Sequence, residues 1–399
     1  MGYQQSWPRH LVHAAGVIVA STILPAQAAE GDKRFEVYGF AQADFIQDFK
    51  RVNPNWDDTL RPSRIPTTEG KFGGDGQSII GVRQSRFGVK ADLPTGGKTL
   101  KTKFEFDLFG VGEDEGQTTF RLRHAYGEWG QWLAGQTHSL FMDIDVFPNT
   151  IDYWGPSGMV FLRNPQIRWT PVSGANTFAI AIENPSDDID SGEFRTVDPG
   201  LLDLQSDEEL PDLTAQFRAQ RDWGHVQVGG ILRKIGVENI ADPANIREGD
   251  DLGWGLNLST NIKVLERDVI RASVVYGEGI ASYMNDGGVD LAPSSADPMT
   301  AEAESVELTG IVLYYDHWWN DQFSSSIGYS STEVDNLAGQ SPDAFKKGQY
   351  ASANLLYYPA DQILVGAEFL WGDREDFNGA SGDDIRLQVS FKYNFGIVL

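Results

Sequence analysis

The last fifteen residues restrict the fold more than any other part of the chain. Ile385, Leu387, Val389, Phe391, Tyr393, Phe395, Ile397 and Leu399 alternate with Arg386, Gln388, Ser390, Lys392, Asn394, Gly396 and Val398. A β-strand turns successive side chains to opposite faces, so one face here is apolar and the other mostly polar. If the apolar face meets lipid, a slip of one residue exposes Arg386 and Lys392 to hydrocarbon, at about 2–4 kcal/mol each at the bilayer midplane. That cost fixes the assignment of faces.

The same period recurs from Phe35 onward in segments of about 8–15 residues, the repeated mark of membrane-barrel strands. Phe104, Phe106 and Leu108 alternate with Lys101, Lys103, Glu105 and Asp107. Phe87, Val89 and Ala91 lie opposite Arg86 and Lys90, and Leu213, Ala215, Phe217 and Ala219 opposite Thr214, Gln216, Arg218 and Gln220. Trp254, Leu256, Leu258 and Ile262 alternate with Asn257, Ser259 and Asn261. The inner faces are polar, which predicts a wet interior rather than the apolar core of a soluble sandwich. Tyr314, Tyr315, Trp318, Trp319, Tyr357, Tyr358 and Trp371 cluster near strand ends, where interfacial girdles would place them.

Connections alternate in length. Short ones lie at 94–98, 130–131, 173–175, 223–224, 265–267, 318–320 and 359–361, and longer ones at 50–78, 138–164, 185–210, 237–249, 281–301 and 334–345. Those at 112–117 and 376–382 are shorter members of the long class. Short turns at one rim and long loops at the other suit hairpin insertion into an outer membrane. The fold class read from this pattern is all-β: a closed antiparallel transmembrane β-barrel of about sixteen strands, with an inward-folded constriction loop. A large soluble all-β enzyme or lectin would leave the pairing of aliphatic with charged faces unexplained.

Residues 1–28 read as a signal peptide. Arg9 and His10 precede the mainly apolar stretch Leu11–Leu24, and Ala26-Gln27-Ala28 offers a small-x-small cleavage site. The stretch falls short of the roughly 20 apolar residues of a membrane-spanning helix. Residues 29–399 are then the barrel, and the outer membrane its location. The chain holds 32 Lys plus Arg against 57 Asp plus Glu, a net charge of −25, which argues against nucleic acid as a partner. There is no cysteine, which removes disulfides, thiol nucleophiles and zinc–thiolate sites.

Inward-facing bases concentrate on the second to fourth strands as Arg86, Lys90, Lys101, Lys103, Arg121 and Arg123, with Arg168, Arg218 and Arg233 further round. The fourth strand keeps Arg121 and Arg123 on one face only if His124 and Tyr126 point outward. Rings of Arg or Lys select anions, and a guanidinium can hold a carboxylate through two parallel hydrogen bonds. Alternatively these bases pair with Glu105, Asp107, Glu36, Asp44 or Glu368 and brace the wall. The loop 138–164 is the candidate constriction, with Asp143, Asp145, Asp152 and Arg163 as its charges. Its Phe141, Phe147, Tyr153, Trp154 and Phe161 would pack on the inner wall or, on the competing account, cap a trimer interface.

A second acidic group, Asp187, Asp188, Asp190, Glu193, Asp198, Asp203, Asp207, Glu208 and Glu209 with only Arg195 against it, reads as a solvated outer loop. Divalent cations bridging it to lipopolysaccharide is the sharper alternative. Catalysis is not expected. None of the six histidines stands in a nucleophile motif, His138-Ser139 is a weak loop dipeptide, and no metalloprotease or phosphate-loop pattern occurs. No metal or other cofactor is called for, and there is no plug domain before Phe35.

The chain also resembles a known family. Val37-Tyr38-Gly39-Phe40 and Ser85-Arg86-Phe87-Gly88-Val89-Lys90 are similar to the first strands of Gram-negative porins. Arg123-His124-Ala125-Tyr126-Gly127 followed by Leu133-Ala134-Gly135-Gln136 resembles the hairpin that leads to their constriction loop. Ala353-Asn354-Leu355-Leu356-Tyr357-Tyr358-Pro359 and Gly366-Ala367-Glu368-Phe369-Leu370-Trp371-Gly372 look most like DcaP-like porins. The resemblance spans the whole mature chain. It implies passive diffusion of small hydrophilic solutes, among them dicarboxylates and other small anions, and a homotrimer inserted by the barrel-assembly machinery. A general cation-preferring diffusion porin is the runner-up. Gln136 stands where many general porins carry Arg, Leu399 stands where the terminal residue is usually Phe, and the stretch from Ala29 to Phe35 leaves no room for the helical extension of some DcaP-like members.

Overall fold

A computed structural model describes residues 33–110, 118–192, 204–239, 248–297 and 300–399. The signal-peptide assignment, the connection at 112–117, Glu193, Arg195, Asp198 and Asp203 lie outside the described residues. Twenty strands occur among the described residues. The first half comprises β1 (Arg34–Asp48), β2 (Gln77–Gly81), β3 (Arg86–Thr95), β4 (Lys98–Asp107), β5 (Arg121–Trp129), β6 (Trp132–His138), β7 (Arg163–Val172), β8 (Asn176–Glu183), β9 (Leu204–Ser206) and β10 (Asp212–Arg221). The second half comprises β11 (Gly224–Asn239), β12 (Glu248–Val264), β13 (Asp268–Glu278), β14 (Leu291–Pro293), β15 (Ala303–Ser305), β16 (Glu307–Trp318), β17 (Phe323–Asp335), β18 (Phe345–Ala360), β19 (Ile363–Asp376) and β20 (Ser381–Val398).

Each wall strand pairs antiparallel with its neighbours, and the sheet closes where β1 pairs β20 from Glu36↔Val398 to Asp48↔Arg386. Closure removes the open edge that a membrane would not tolerate. β2 and β3 occupy one position of the barrel, both against β1, and β9 continues the position of β10 against β11. The short pair β14–β15 stands apart. The result is a sixteen-strand barrel. The break between β2 and β3 has a local cause: Arg83 turns to Asp58 at 2.7 Å and to the Gly110 carbonyl at 2.8 Å.

The faces follow the alternation. Phe104, Leu256, Leu258, Leu313, Phe391 and Phe395 are exposed outside, while Glu105, Asn257, Ser259, Arg386, Gln388 and Ser390 are buried inside. Two expectations need correction. Tyr314 does not belong to a girdle: it is buried on the lumen side and bonds the Ser352 hydroxyl at 3.1 Å. Nor is the interior simply wet. Among the described residues three apolar clusters sit inside the barrel, the two larger around Phe141, Ile231, Val275, Tyr283 and Leu308 and around Leu60, Val312, Tyr350 and Leu370. They form because long loops fold inward and bring apolar side chains against apolar positions on the inner wall.

Candidate functional site

Three loops meet in the lumen. The loop 139–162 runs round the inner wall, and wall side chains fasten its backbone. Asn257 and Gln227 donate to the carbonyls of Phe141 and Met142 at 2.9 Å. Glu368 accepts the amides of Ile151 and Asp152 at 2.9 and 3.1 Å. Gln84 and Gln388 donate to the Ile151 carbonyl. At Gly158 the loop backbone lies directly on the wall: a Cβ there would fall 2.1 Å from the Ser331 carbonyl oxygen, and one on Gly310 would fall 2.4 Å from that of Gly158. The segment 279–290 also enters the lumen, pairing with this loop through the bridge Val160↔Met284 and the Phe161 amide on the Tyr283 carbonyl at 2.9 Å. Residues 50–66 form the third wall, docked by Arg386, whose guanidinium donates to the carbonyls of Asp57 and Thr59.

Between these loops and the wall of β20, β1, β3, β5 and β7 lies a cavity of about 930 Å³. Among the described residues its lining includes eight bases (Arg61, Arg64, Arg86, Arg121, Arg123, Arg163, Arg374 and Lys392) against three acids, Asp152, Asp188 and Asp286. Four of these bases are paired, Arg61 with Asp286, Arg121 and Arg123 with Asp107, and Arg374 with Asp376, so the free positive charge rests on the others. Asp152 is buried and spent on the Thr59 hydroxyl at 2.7 Å, the Tyr350 hydroxyl at 3.0 Å and the amides of Leu60 and Gly155. Burial pushes its carboxyl above the usual range. Asp286 is taken up by Arg61. Several bases, by contrast, lack a close carboxylate. Arg64, Arg163 and Lys392 have none within 4 Å among the described residues, and Arg86 has only Glu105 at 3.6 Å. The Arg163 Nη1 and Arg86 Nε atoms are buried without a hydrogen-bond partner. Arg86 and Lys392 flank the Phe40 ring, at 5.2 and 3.9 Å from its centroid.

Arg121 and Arg123 share the inner face for a reason the alternation missed. β4 pairs Phe106 with Leu122 and Glu105 with His124, leaving Arg123 as the extra residue of a β-bulge. A bulge shifts the strand's parity by one residue, so the expectation that His124 and Tyr126 point outward is wrong. His124 is buried beside Thr137 at 3.1 Å and His138. Arg121 holds Asp107 with two nitrogens, at 3.1 and 2.8 Å, and Arg123 bridges Glu105 and Asp107 at 2.8 and 2.9 Å. Tyr153 of the long loop donates to Asp107 at 2.6 Å.

The other expected pore bases are placed elsewhere. Lys90 pairs Glu36 at 3.2 Å, Lys103 pairs Glu105 at 3.1 Å, and Lys101 lies 3.9 Å from Glu128; none lines the cavity. Arg168 braces the start of the loop, donating to the His138 carbonyl at 2.6 Å. Arg218 pairs Asp143 at 3.3 Å and also holds Asp145, so these two loop acids face the wall of β10–β12 and not the cavity. Asp143 accepts from Ser259 at 2.7 Å and from His225. Burial would raise its carboxyl, but His225, Ser259 and Arg218 together outweigh that and hold it below the usual range. Of the four expected loop charges, only Asp152 and Arg163 border the cavity. Asp187 and Asp188 are not simply solvated either: Asp187 pairs the buried Arg233 at 2.6 Å, and the Asp188 amide donates to Asp290 at 2.9 Å.

Arg61, Arg64, Arg374 and the segment 279–290 were not assigned to the pore, and Lys392 was read as inward without being assigned to it. The signal for the two loops was present: Val52, Leu60 and Ile65, and likewise Ile280, Tyr283 and Met284, are apolar residues in connections that would otherwise face water.

A closed lipid-facing barrel with loops folded around a charged internal cavity is the architecture of an outer-membrane channel. The sequence matches the family model described as DcaP outer membrane protein over residues 28–395, and the chain belongs to that family. Among solved structures it is similar to the outer membrane channel DcaP of Acinetobacter baumannii, with a TM-score of 0.77 and 23% identity, covering 93% of this chain and all of that one. More distant are OmpT of Vibrio cholerae in its trimer form (TM-score 0.54, 12% identity, 92% of this chain and 100% of that one) and Salmonella typhi OmpF complexed with daunomycin (0.55, 12%, 90% and 97%). These distant likenesses speak for the fold alone. No curated protein sequence matches the chain significantly.

Proposed function

We propose that this outer-membrane porin passes small hydrophilic solutes passively and prefers small anions, carboxylates foremost. The observation that carries the reading is the cavity lining: eight bases against three acids, two of those acids tied up and three of the bases without a carboxylate partner among the described residues. Wall bases act on a passing solute at contact distance. The acidic outer loops act through solvent that attenuates charge over roughly 8 Å at physiological salt. Local lumen charge therefore outweighs the net charge of the chain. On this reading the loop 139–162 narrows the path, residues 1–28 are removed on export, and the barrel is inserted by the assembly machinery as a homotrimer in contact with lipopolysaccharide. The test is the reversal potential of single channels in a salt gradient at physiological ionic strength. An anion-selective value with current block by a small dicarboxylate is expected. A cation-selective value would replace this reading with that of a general cation-preferring diffusion porin.

A further inference from the structure

The segment 279–290 carries more than packing. Its backbone is tied to the long loop by the Asn285 amide on the Met159 carbonyl at 2.9 Å and by the Trp154 indole on the Asn285 carbonyl at 2.6 Å. The Asn285 side chain donates back to the carbonyls of Trp154 and Pro156. At its tip, Gly287 and Gly288 have φ of +94° and +83°, a left-handed turn that residues with a Cβ enter only under strain. That turn aims the preceding Asp286 at residues 61–63. The Asp286 side chain is fully buried and accepts three hydrogen bonds, from Arg61 Nε at 2.9 Å, the Ser63 amide at 2.8 Å and the Ser63 hydroxyl at 2.6 Å, while Arg61 Nη2 stands 2.8 Å away in the same ion pair. Arg61 is itself clamped, 4.2 Å from the Trp56 ring centroid and 4.1 Å from that of Trp154. Trp154 belongs to the long loop, so all three inward loops converge on this one ion pair, and it lines the cavity.

We infer that Asp286 is a size-determining residue of the channel: its bonds to Arg61 and Ser63 latch the segment 279–290 to residues 61–63 and set the largest solute that passes. A charge-assisted pair reinforced by three hydrogen bonds is strong where water is excluded. No other side-chain hydrogen bond or ion pair among the described residues joins these two segments directly. The inference rests on the lumen being the diffusion path and is independent of the anion preference.

The test uses neutral solutes, which ignore charge. Full-length protein is reconstituted in liposomes, and swelling rates are measured for neutral sugars of increasing size. Asp286→Ala and Arg61→Ala should both admit the largest sugar several-fold faster than the native chain, although one removes a negative charge and the other a positive one. Because the chain has no cysteine, Ser63→Cys with Asp286→Cys can replace the latch by a disulfide. Oxidised, this variant should keep the native size limit without any carboxylate; reduced, it should lose it. Heat-modifiable gel mobility reports barrel assembly, and if Asp286→Ala does not assemble, the reversible disulfide variant carries the test. Unchanged sugar rates in assembled Asp286→Ala and Arg61→Ala, or equal rates in the oxidised and reduced disulfide variant, would overturn the inference. If the native protein passes no sugar at all, the diffusion reading fails first and this inference with it.

Discussion

The inner wall has two unlike arcs. From β20 through β1, β3 and β4 to β5 it presents charge: Lys392, Arg86, Glu105, Asp107, Arg121 and Arg123 stand on a face that borders the cavity or braces its rim. From β11 to β19 it presents a large apolar surface, Ile231, Val275, Leu308, Gly310, Val312, Tyr350 and Leu370, buried under loops, among polar side chains such as Gln227, Asn257 and Glu368 that bond the loop backbone. Both arcs face inward and both alternate with an apolar outer face. What differs is what covers them. A charged side chain needs water or a partner, and an apolar one needs another apolar surface. Apolar positions on the inward face therefore mark where folded loop lies against it. A charge under a loop is held by bonds to that loop, as Glu368 is by the Ile151 and Asp152 amides and Arg386 by the Asp57 and Thr59 carbonyls.

The sharpest way to break this comparison is to push a loop off the covered arc. In Gly310→Leu the new side chain collides with backbone at Gly158. The loop should leave the wall and single-channel conductance should rise several-fold, while the barrel, held by backbone pairing, stays heat-modifiable. Unchanged conductance would mean that the covered arc does not hold the loop.

The charged arc is tested by joint replacement of Arg86, Arg163 and Lys392 with Gln. These bases face the cavity with at most a distant carboxylate among the described residues, so their loss should move the reversal potential towards cations and weaken dicarboxylate block. Asp207, Glu208 and Glu209, replaced together by neutral residues as a control, should change it little at physiological salt.

A smaller effect is expected at one contact between loop and covered arc. Tyr350→Phe removes one of four donors to the buried Asp152, a loss of about 1–3 kcal/mol for a buried acceptor. Faster hydrogen exchange at Asp152 and Gly155, with wall strands unaffected, is the expected readout.

The smallest effect concerns pH at the outer mouth. Burial raises the Asp187 carboxyl from 3.8 to about 7; Arg233 lowers it, and Asp290, Asp212 and Glu208 push it up. The folded form thus binds the proton more tightly than the unfolded form. Its contribution is full below the ordinary aspartate value and is lost as pH rises through about 7. Amides of Asp188 and Asp290, corrected for intrinsic rate, should be better protected at pH 5 than at pH 8, and Asp187→Asn should flatten that difference.

The sequence by itself determined the barrel, its strand faces and the charge of its inner wall. Period two is local, and lipid penalises a slip of one residue in every strand, so the pattern in β20 or β4 admits one reading. Bases on β3 and β5 were legible for the same reason, and Lys392 was read as inward although it was not assigned to the pore. Tertiary structure decided the rest. A single extra residue at Arg123 reversed the parity of β5, which no alternation rule announces, because the bulge depends on how β4 pairs with it. Whether a base is free or spent depends on partners distant in the chain: Asp286 lies far from Arg61, and Asp143 far from Arg218. The path of the loops was decided by which inner-wall positions could bury Leu60, Tyr283 and Met284, and such burial is settled only when the barrel has closed around them.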